Sequence, residues 1–354
     1  MSKWIRFMMV TACLTGISGM SHAAVAAQPV CRSMTFPVGL TPDQPRKYRI
    51  HARLCQPRHG KATAVHIALH GGMYNHIYWD WPYKPELYSY VRAMTAAGYA
   101  VLAVDRIGTG KSSRPPSEEV DFPANAHAIH QIVGDLRSGA VGGIRFDRII
   151  LVGHSMGSDV SSIVANTYGG VDGVILTGFS HGIVKALSSY ADQPMSWAMP
   201  ANQDPKFKAL KLDDGYITSK PGMRGPLFYD PRFTDPKVYE VEEATKDTFT
   251  MAEIRTMPVG LATQDIRVPV LMVNGADDLL GCGPEYKTWC MNSAALAANE
   301  SPHFSPKACL QTLVLPQTMH DLNATAVGPL WFAYAAAWSD TFVGRNRPAT
   351  PCVR

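Results

Sequence analysis

The sequence predicts an α/β fold, a mostly parallel central sheet flanked by helices and carrying one long insertion. Three observations support this. Segments of extended character alternate with helical ones along the chain, the order that yields parallel strands joined by covering helices. Most of the extended segments are continuous aliphatic runs, such as Ile149-Ile150-Leu151-Val152, as expected of strands buried on both faces. A chain of 354 residues, 46% hydrophobic and 18% charged, is long and apolar enough to build a large core.

In chain order, strands are expected over 47–54, 64–69, 100–105, 148–153, 173–177, 268–274 and 311–315. Helices are expected over 83–97, 124–138, 156–167 and 330–341. No internal repeat interrupts this order. From about 180 to 264 the chain is rich in Pro, Gly, Met and aromatic residues (Trp197, Phe207, Tyr216, Phe228, Tyr229, Phe233, Tyr239) and has no clear strand. Such a stretch reads as an insertion, a lid or cap over the sheet edge. The expected organisation is a leader over 1–26, a first core part over 27–180, a cap over 181–265 and a second core part over 266–354.

The leader carries Lys3 and Arg6, an apolar stretch from Phe7 to about Ile17, and small residues that place cleavage after Ala23 or Ala26. That order is the pattern of a secretory signal peptide. A membrane anchor would need a longer apolar run, and Val10-Thr11-Ala12-Cys13 only loosely resembles a lipoprotein cleavage box. The expectation is an exported protein, periplasmic or secreted, with no stable membrane anchor. Losing Lys3 and Arg6 lowers the formal charge from +4 to about +2, which calls for neither nucleic acid nor an anionic membrane as partner. Cys31, Cys55, Cys282, Cys290, Cys309 and Cys352 remain, an even set that in an exported chain predicts up to three disulfides. Cys31 is expected to pair with Cys55, because the two flank a pair of N-terminal strands; pairing among the other four stays open. No Cys-x2-Cys spacing of a zinc cluster occurs.

Ser155 stands between the strand RIILVGH and the helix expected from Met156, with Gly153 and Gly157 on either side. A sharp strand-to-helix turn needs small neighbours and lifts the serine hydroxyl out of the sheet. It also leaves the N–H of Met156 unpaired at the helix start, ready to serve as an oxyanion donor. Upstream, a strand breaks at His70-Gly71-Gly72, where the N–H of Gly72, or less readily Met73, would complete an oxyanion hole. His70 reads as a structural histidine of that loop, and His66 with His70 lacks the helical His-Glu-x-x-His context of a metal pair. Gly108-Thr109-Gly110-Lys111-Ser112 suggests a phosphate loop, but the first glycine a Walker motif requires is Asp105 here. Asp105 and the two glycines instead predict a tight loop at a strand end.

A nucleophilic serine needs a base, and the base needs an acid to orient it. The strand in RVPVLMVNGADD ends in Gly275-Ala276-Asp277-Asp278, and the strand in LQTLVLPQTMH ends just before His320. All of these groups are expected at the C-terminal edge of the sheet, where open α/β folds place their ligands.

Taken together, LHGG at 69–72, DRIGTGKSS at 105–113, GHSMG at 153–157, PVLMVNGADD at 269–278 and His320 resemble the α/β-hydrolase family over roughly residues 34–345. The resemblance implies Ser155 as nucleophile, His320 as base and Asp278 as acid, with Asp277 in reserve, and an oxyanion hole from the N–H groups of Gly72 and Met156. It also implies that the segment after the sixth core strand is a variable cap. Two features depart from the family pattern. Ser158 stands where lipase-like members often have a second glycine, and the six cysteines point to a secreted branch. A dehalogenase or epoxide hydrolase would want Asp at position 155.

The expected activity is hydrolysis of a carboxylic ester, or a lactone, of moderately hydrophobic character through an acyl-enzyme, with no metal or organic cofactor. The aromatic loop Tyr74, Tyr78, Trp79 and Trp81 suggests an apolar pocket. The same triad would also suit C–C or amide cleavage or acyl transfer, and a non-catalytic binding protein on this scaffold is the third reading.

Overall fold

The computed structural model describes residues 28–183, 195–260, 262, 265–283 and 286–345. The expected leader and Cys352 lie outside the described residues. Eight strands form one sheet: β1 (Val30–Val38), β2 (Tyr48–Gln56), β3 (Ala64–Leu69), β4 (Ala100–Val104), β5 (Arg148–His154), β6 (Gly173–Thr177), β10 (Val270–Gly275) and β11 (Gln311–Leu315). Their order is β1-β2-β4-β3-β5-β6-β10-β11. Only β2 runs against the others, antiparallel to both β1 and β4, while β3 to β6, β10 and β11 are parallel.

The aliphatic runs occupy the centre of this sheet. β3, β4, β6 and β10 are buried at every position, and each fully buried Val, Leu or Ile contributes about 1.5–3 kcal/mol of transfer free energy. At the margin, β1 alternates exposed and buried residues over its second half, as a half-solvated edge strand does.

Helices α1 (Pro85–Tyr88) and α2 (Tyr90–Ala96) replace the single helix expected over 83–97. Ser89 divides them: its backbone is extended and its hydroxyl accepts from Arg92 N–H at 3.1 Å, capping α2. α3 (Phe122–Ser138) starts on the Asp121 cap and stops at Gly139, which lies at φ 76°. Its buried residues Ile129, Ile132, Val133 and Leu136 recur at helical spacing. α4 (Met156–Ile163), directly after Ser155, is buried throughout.

Among the described residues between β6 and β10 are three short strands, β7 (Ala198–Pro200), β8 (Tyr216–Ser219) and β9 (Phe249–Thr250), paired antiparallel in a sheet of their own. The expectation of no strand here is thereby corrected; strands of two to four residues are too short to show a period. α5 (Arg224–Phe228) and α6 (Pro236–Thr245) follow β8, and α7 (Met251–Gly260) packs on α3 and α4. Further on come α8 (Ser293–Glu300) and α9 (Gly328–Phe342). α9 buries Trp331, Phe332, Ala335 and Trp338, and Trp331 stacks on Tyr90 of α2 at 4.9 Å.

Cys31 and Cys55 are directly opposed across the β1–β2 ladder, with Cα atoms 4.0 Å apart, and are joined in a disulfide. A second disulfide, Cys282–Cys290, closes the loop after β10. Among the described residues no helix is long and apolar enough to cross a membrane.

Candidate active site

Ser155 sits at the turn from β5 into α4 with φ 50° and ψ −123°, a conformation that costs a non-glycine residue on the order of 1–3 kcal/mol. The surroundings hold it there. Ser155 N–H donates to the Thr177 carbonyl at 2.8 Å, and Ser158 N–H donates to the Ser155 carbonyl at 2.7 Å. A Cβ on Gly157 would lie 2.1 Å from the Leu69 carbonyl oxygen, and one on Gly153 would lie 2.4 Å from the Gly157 oxygen. The flanking glycines are thus required by the close approach of β3, β5 and α4.

Ser158 takes part in the same fixation. Its hydroxyl donates to Thr177 O at 3.0 Å and accepts from Thr177 N–H at 3.1 Å. The hydroxyl therefore ties α4 to β6, which a glycine at that position would not do.

The His70-Gly71-Gly72 loop passes directly over this turn. A Cβ on Gly71 would be 3.0 Å from Ser155 Cβ, and one on Gly72 would be 2.5 Å from Met156 Sδ. His70 is fully buried and neutral, its pKa pushed down to about 3 by burial and then by the charge of Arg106. Its Nδ1–H donates to the Gly71 carbonyl at 2.8 Å, while Nε2 accepts from Arg106 N–H at 3.2 Å. A trans peptide points its N–H opposite to its carbonyl, so this bond on Gly71 O also sets the direction of the Gly72 N–H. Arg106 adds a bond from Nε to His70 O at 3.0 Å and a buried ion pair with Glu253 of α7.

His320 and Asp278 meet at the same edge of the sheet. His320 Nδ1 donates to both oxygens of Asp278, at 3.0 and 3.1 Å, and both side chains are buried. Asp278 is held in turn by Gly281 N–H, 2.7 Å from Oδ1. Asp277 is half-buried and makes no hydrogen bond to His320; its own N–H donates to Thr318 O at 3.0 Å. The two chain segments cross so closely that a Cβ on Gly275 would lie 2.2 Å from Thr318 O, which explains the glycine three residues before Asp278.

The His154 ring, adjacent to Ser155, lies 4.8 Å from the His320 ring. Among the described residues no hydrogen bond joins Ser155 Oγ to His320, a bond that commonly tightens only with substrate present.

Asp321, which follows His320, is fully buried, and burial followed by the nearby Glu242 carboxylate pushes its pKa up to about 6. Tyr229 OH lies 2.5 Å from Asp321 and 3.0 Å from Glu242. One hydroxyl proton cannot serve two carboxylates, and below about pH 6 a protonated Asp321 relieves the conflict by donating to the Tyr229 oxygen. Since the folded pKa exceeds the ordinary carboxylate value of about 4, the stability Asp321 contributes is full below about pH 4 and is lost as pH rises through about 6. The stability of wild type relative to Asp321→Asn, from urea unfolding, is expected to fall by on the order of 2 kcal/mol between about pH 4.5 and about pH 7.5. A pH-independent difference refutes the assignment.

One further sequence expectation changes in the structure. Tyr74, Tyr78, Trp79 and Trp81 are all buried and pack on core rings, among them Tyr78 on His154 at 4.4 Å, so they shape the core rather than line an open pocket. The apolar groups beside the reacting positions are instead Met156 and Phe249, near Gly72, and Phe228, with its ring 5.7 Å from His320. Of the two adjacent carboxylates, Asp278, the one expected as the acid, is the one bonded to His320. Asp105 anchors the loop at 105–113 as expected, accepting from Lys111 N–H at 3.0 Å, and it also binds His51 and His76 at 2.9 and 2.7 Å. These three side chains are the one group among the described residues with ligand atoms close enough for a metal. The Asp105 carboxylate already accepts from four donors, including His76 N–H at 2.9 Å, which accounts for it as a loop anchor.

A model of the alpha/beta hydrolase family matches residues 67–343. No curated protein matches the chain significantly. Among solved structures, a highly thermostable carboxyl esterase from Bacillus coagulans is similar with a TM-score of 0.55 and 16% identity, over 88% of this chain and 99% of its own. An epoxide hydrolase from Vigna radiata follows the fold with a TM-score of 0.53 at 14% identity, over 87% of this chain and 98% of its own. An esterase domain from Rhodothermus marinus does so with a TM-score of 0.51 at 19% identity, over 87% and 98%. At such identities the likeness is one of fold, and different chemistries share it. With a family match across most of its length, the chain belongs to the alpha/beta hydrolase family.

Proposed function

We propose that the protein is a serine hydrolase that cleaves a carboxylic ester or lactone of moderate hydrophobicity through an acyl-enzyme. The observation that carries the reading is His320 Nδ1 bonded to both oxygens of buried Asp278, at the sheet edge where the strained Ser155 turn also stands. With Nδ1–H committed to the acid, Nε2 is left as the basic nitrogen. His320 Nε2 takes the Ser155 proton as Oγ bonds to the substrate carbonyl carbon. The resulting oxyanion accepts from the N–H groups of Gly72 and Met156, the latter having no carbonyl partner within its own helix. Collapse of the tetrahedral species breaks the ester C–O bond, and His320 returns the proton to the leaving alcohol. A water deprotonated by His320 then releases the acid and regenerates Ser155.

Ester chemistry is favoured over epoxide opening because position 155 is Ser, whose acyl adduct water can hydrolyse with His320 as base. The apolar neighbours Met156, Phe249 and Phe228 suit an acyl chain. The segment between β6 and β10 is proposed to cap the site, and the disulfides suit an exported protein with a cleaved leader.

The test is a panel of short- and long-chain nitrophenyl esters and lactones, run beside capture with a fluorophosphonate. Turnover of the esters and a single adduct on the peptide containing Ser155 are expected. Absence of both turnover and adduct would sink the proposal.

A further inference from the structure

We propose that Arg224, in the insertion between β6 and β10, is a positioning residue for the oxyanion loop, holding it in working shape from the side opposite the core. The inference rests on the reading of Ser155 as nucleophile and Gly72 as oxyanion donor. Arg224 touches no reacting atom; it acts through Met73.

Met73 follows Gly72 and lies at φ 64°, a left-handed conformation that side-chain-bearing residues adopt only when their surroundings enforce it. The enforcement falls on its carbonyl, which accepts from Arg224 Nη1 at 2.9 Å and from Asp247 N–H at 2.8 Å. Both donors belong to the insertion. Asn75, two residues on, adds bonds from Nδ2 to Thr245 O and to Asp247 Oδ2, each 3.1 Å. On the core side, Arg106 and His70 hold the carbonyls of His70 and Gly71. The Gly72 N–H therefore lies between two pinned carbonyls, one set by the core and one by the insertion.

Arg224 is itself built into place. It is 1% exposed, paired with Glu242, and its guanidinium lies 4.4 Å from the Tyr74 ring centre and 5.0 Å from that of Phe228. A buried ion pair adds little stability over apolar packing. What it supplies here is a donor at a fixed place, and a planar guanidinium can serve Glu242 and Met73 O at once.

Arg224→Met combined with Glu242→Gln removes the donor without leaving a buried charge unpaired. In that variant kcat on a nitrophenyl ester is expected to fall about 10- to 100-fold, less than the roughly 10²- to 10³-fold loss of deleting an oxyanion donor outright, with KM changed less than about threefold. Affinity for a substrate-like boronic acid, a mimic of the tetrahedral state, should fall in parallel with kcat/KM. Arg224→Lys keeps the ion pair but has one nitrogen for two acceptors, and should lie between the two. A folded double variant with wild-type kcat and boronic acid affinity overturns the proposal, as does a change confined to KM. Loss of cooperative unfolding in both variants would make Arg224 a folding residue and overturn it equally. Fluorophosphonate capture by wild type separates the two levels of inference. Without capture the nucleophile assignment fails; with capture but unchanged variants, only the role of Arg224 fails.

Discussion

Ser155→Ala is expected to lower kcat by about 10⁵-fold or more, because without Oγ no acyl-enzyme forms and His320 has no proton to take. What remains would come from the oxyanion donors and binding alone, a residue of about 10³–10⁴ over water in other triads. The fold should survive the change. The strain at position 155 is a backbone property, shared by Ala and Ser, and the bonds that hold the turn run through the Ser155 backbone N–H and carbonyl, which Ala retains. Unfolding by urea should therefore give nearly the same midpoint for both proteins while ester turnover and fluorophosphonate capture disappear. Equal turnover in the two would remove Ser155 from the mechanism, whatever the geometry around it.

The inner strands of the large sheet were legible because burial on both faces leaves a continuous aliphatic signature, whereas the alternating edge strand β1 and the short β7 to β9 were not. Three of the expected ranges, 64–69, 173–177 and 311–315, coincide with β3, β6 and β11. The break at Ser89 was missed although serine is a strong cap, because the apolar spacing on either side continues through it. The candidate site was legible at the positions fixed by local backbone demands. Gly153 and Gly157 announce a turn too tight for a Cβ, and Gly275 announces the crossing that brings Asp278 beside His320.

The supporting shell was not legible. Ser158 bonds to Thr177, Arg106 to Glu253, and Arg224 to Met73 across separations of 19, 147 and 151 residues. Nothing in the neighbourhood of Arg224 in sequence distinguishes it from a solvated surface arginine. Its meaning comes from burial, and burial of a charge is a tertiary property. The aromatic loop failed for the converse reason: Tyr74, Tyr78, Trp79 and Trp81 have the composition of a pocket wall, yet they fill core space beneath the loop.

The two adjacent carboxylates permit a sharper test than either alone. Asp278→Asn is expected to cost about 10⁴-fold in kcat at neutral pH, since an amide in that place no longer holds the His320 tautomer with Nε2 free nor balances the imidazolium that forms. Asp277→Asn changes the charge one residue away, on a half-buried side chain that makes no bond to His320, and should leave kcat within about threefold, since the tautomer of His320 does not depend on it. Both carry the same loss of charge in the same loop, so a general electrostatic or folding effect would move them together. A difference of several orders of magnitude therefore reports the hydrogen bond itself. If Asp277→Asn proves the more damaging, the acid has been assigned to the wrong carboxylate and the loop after β10 must rearrange when substrate binds.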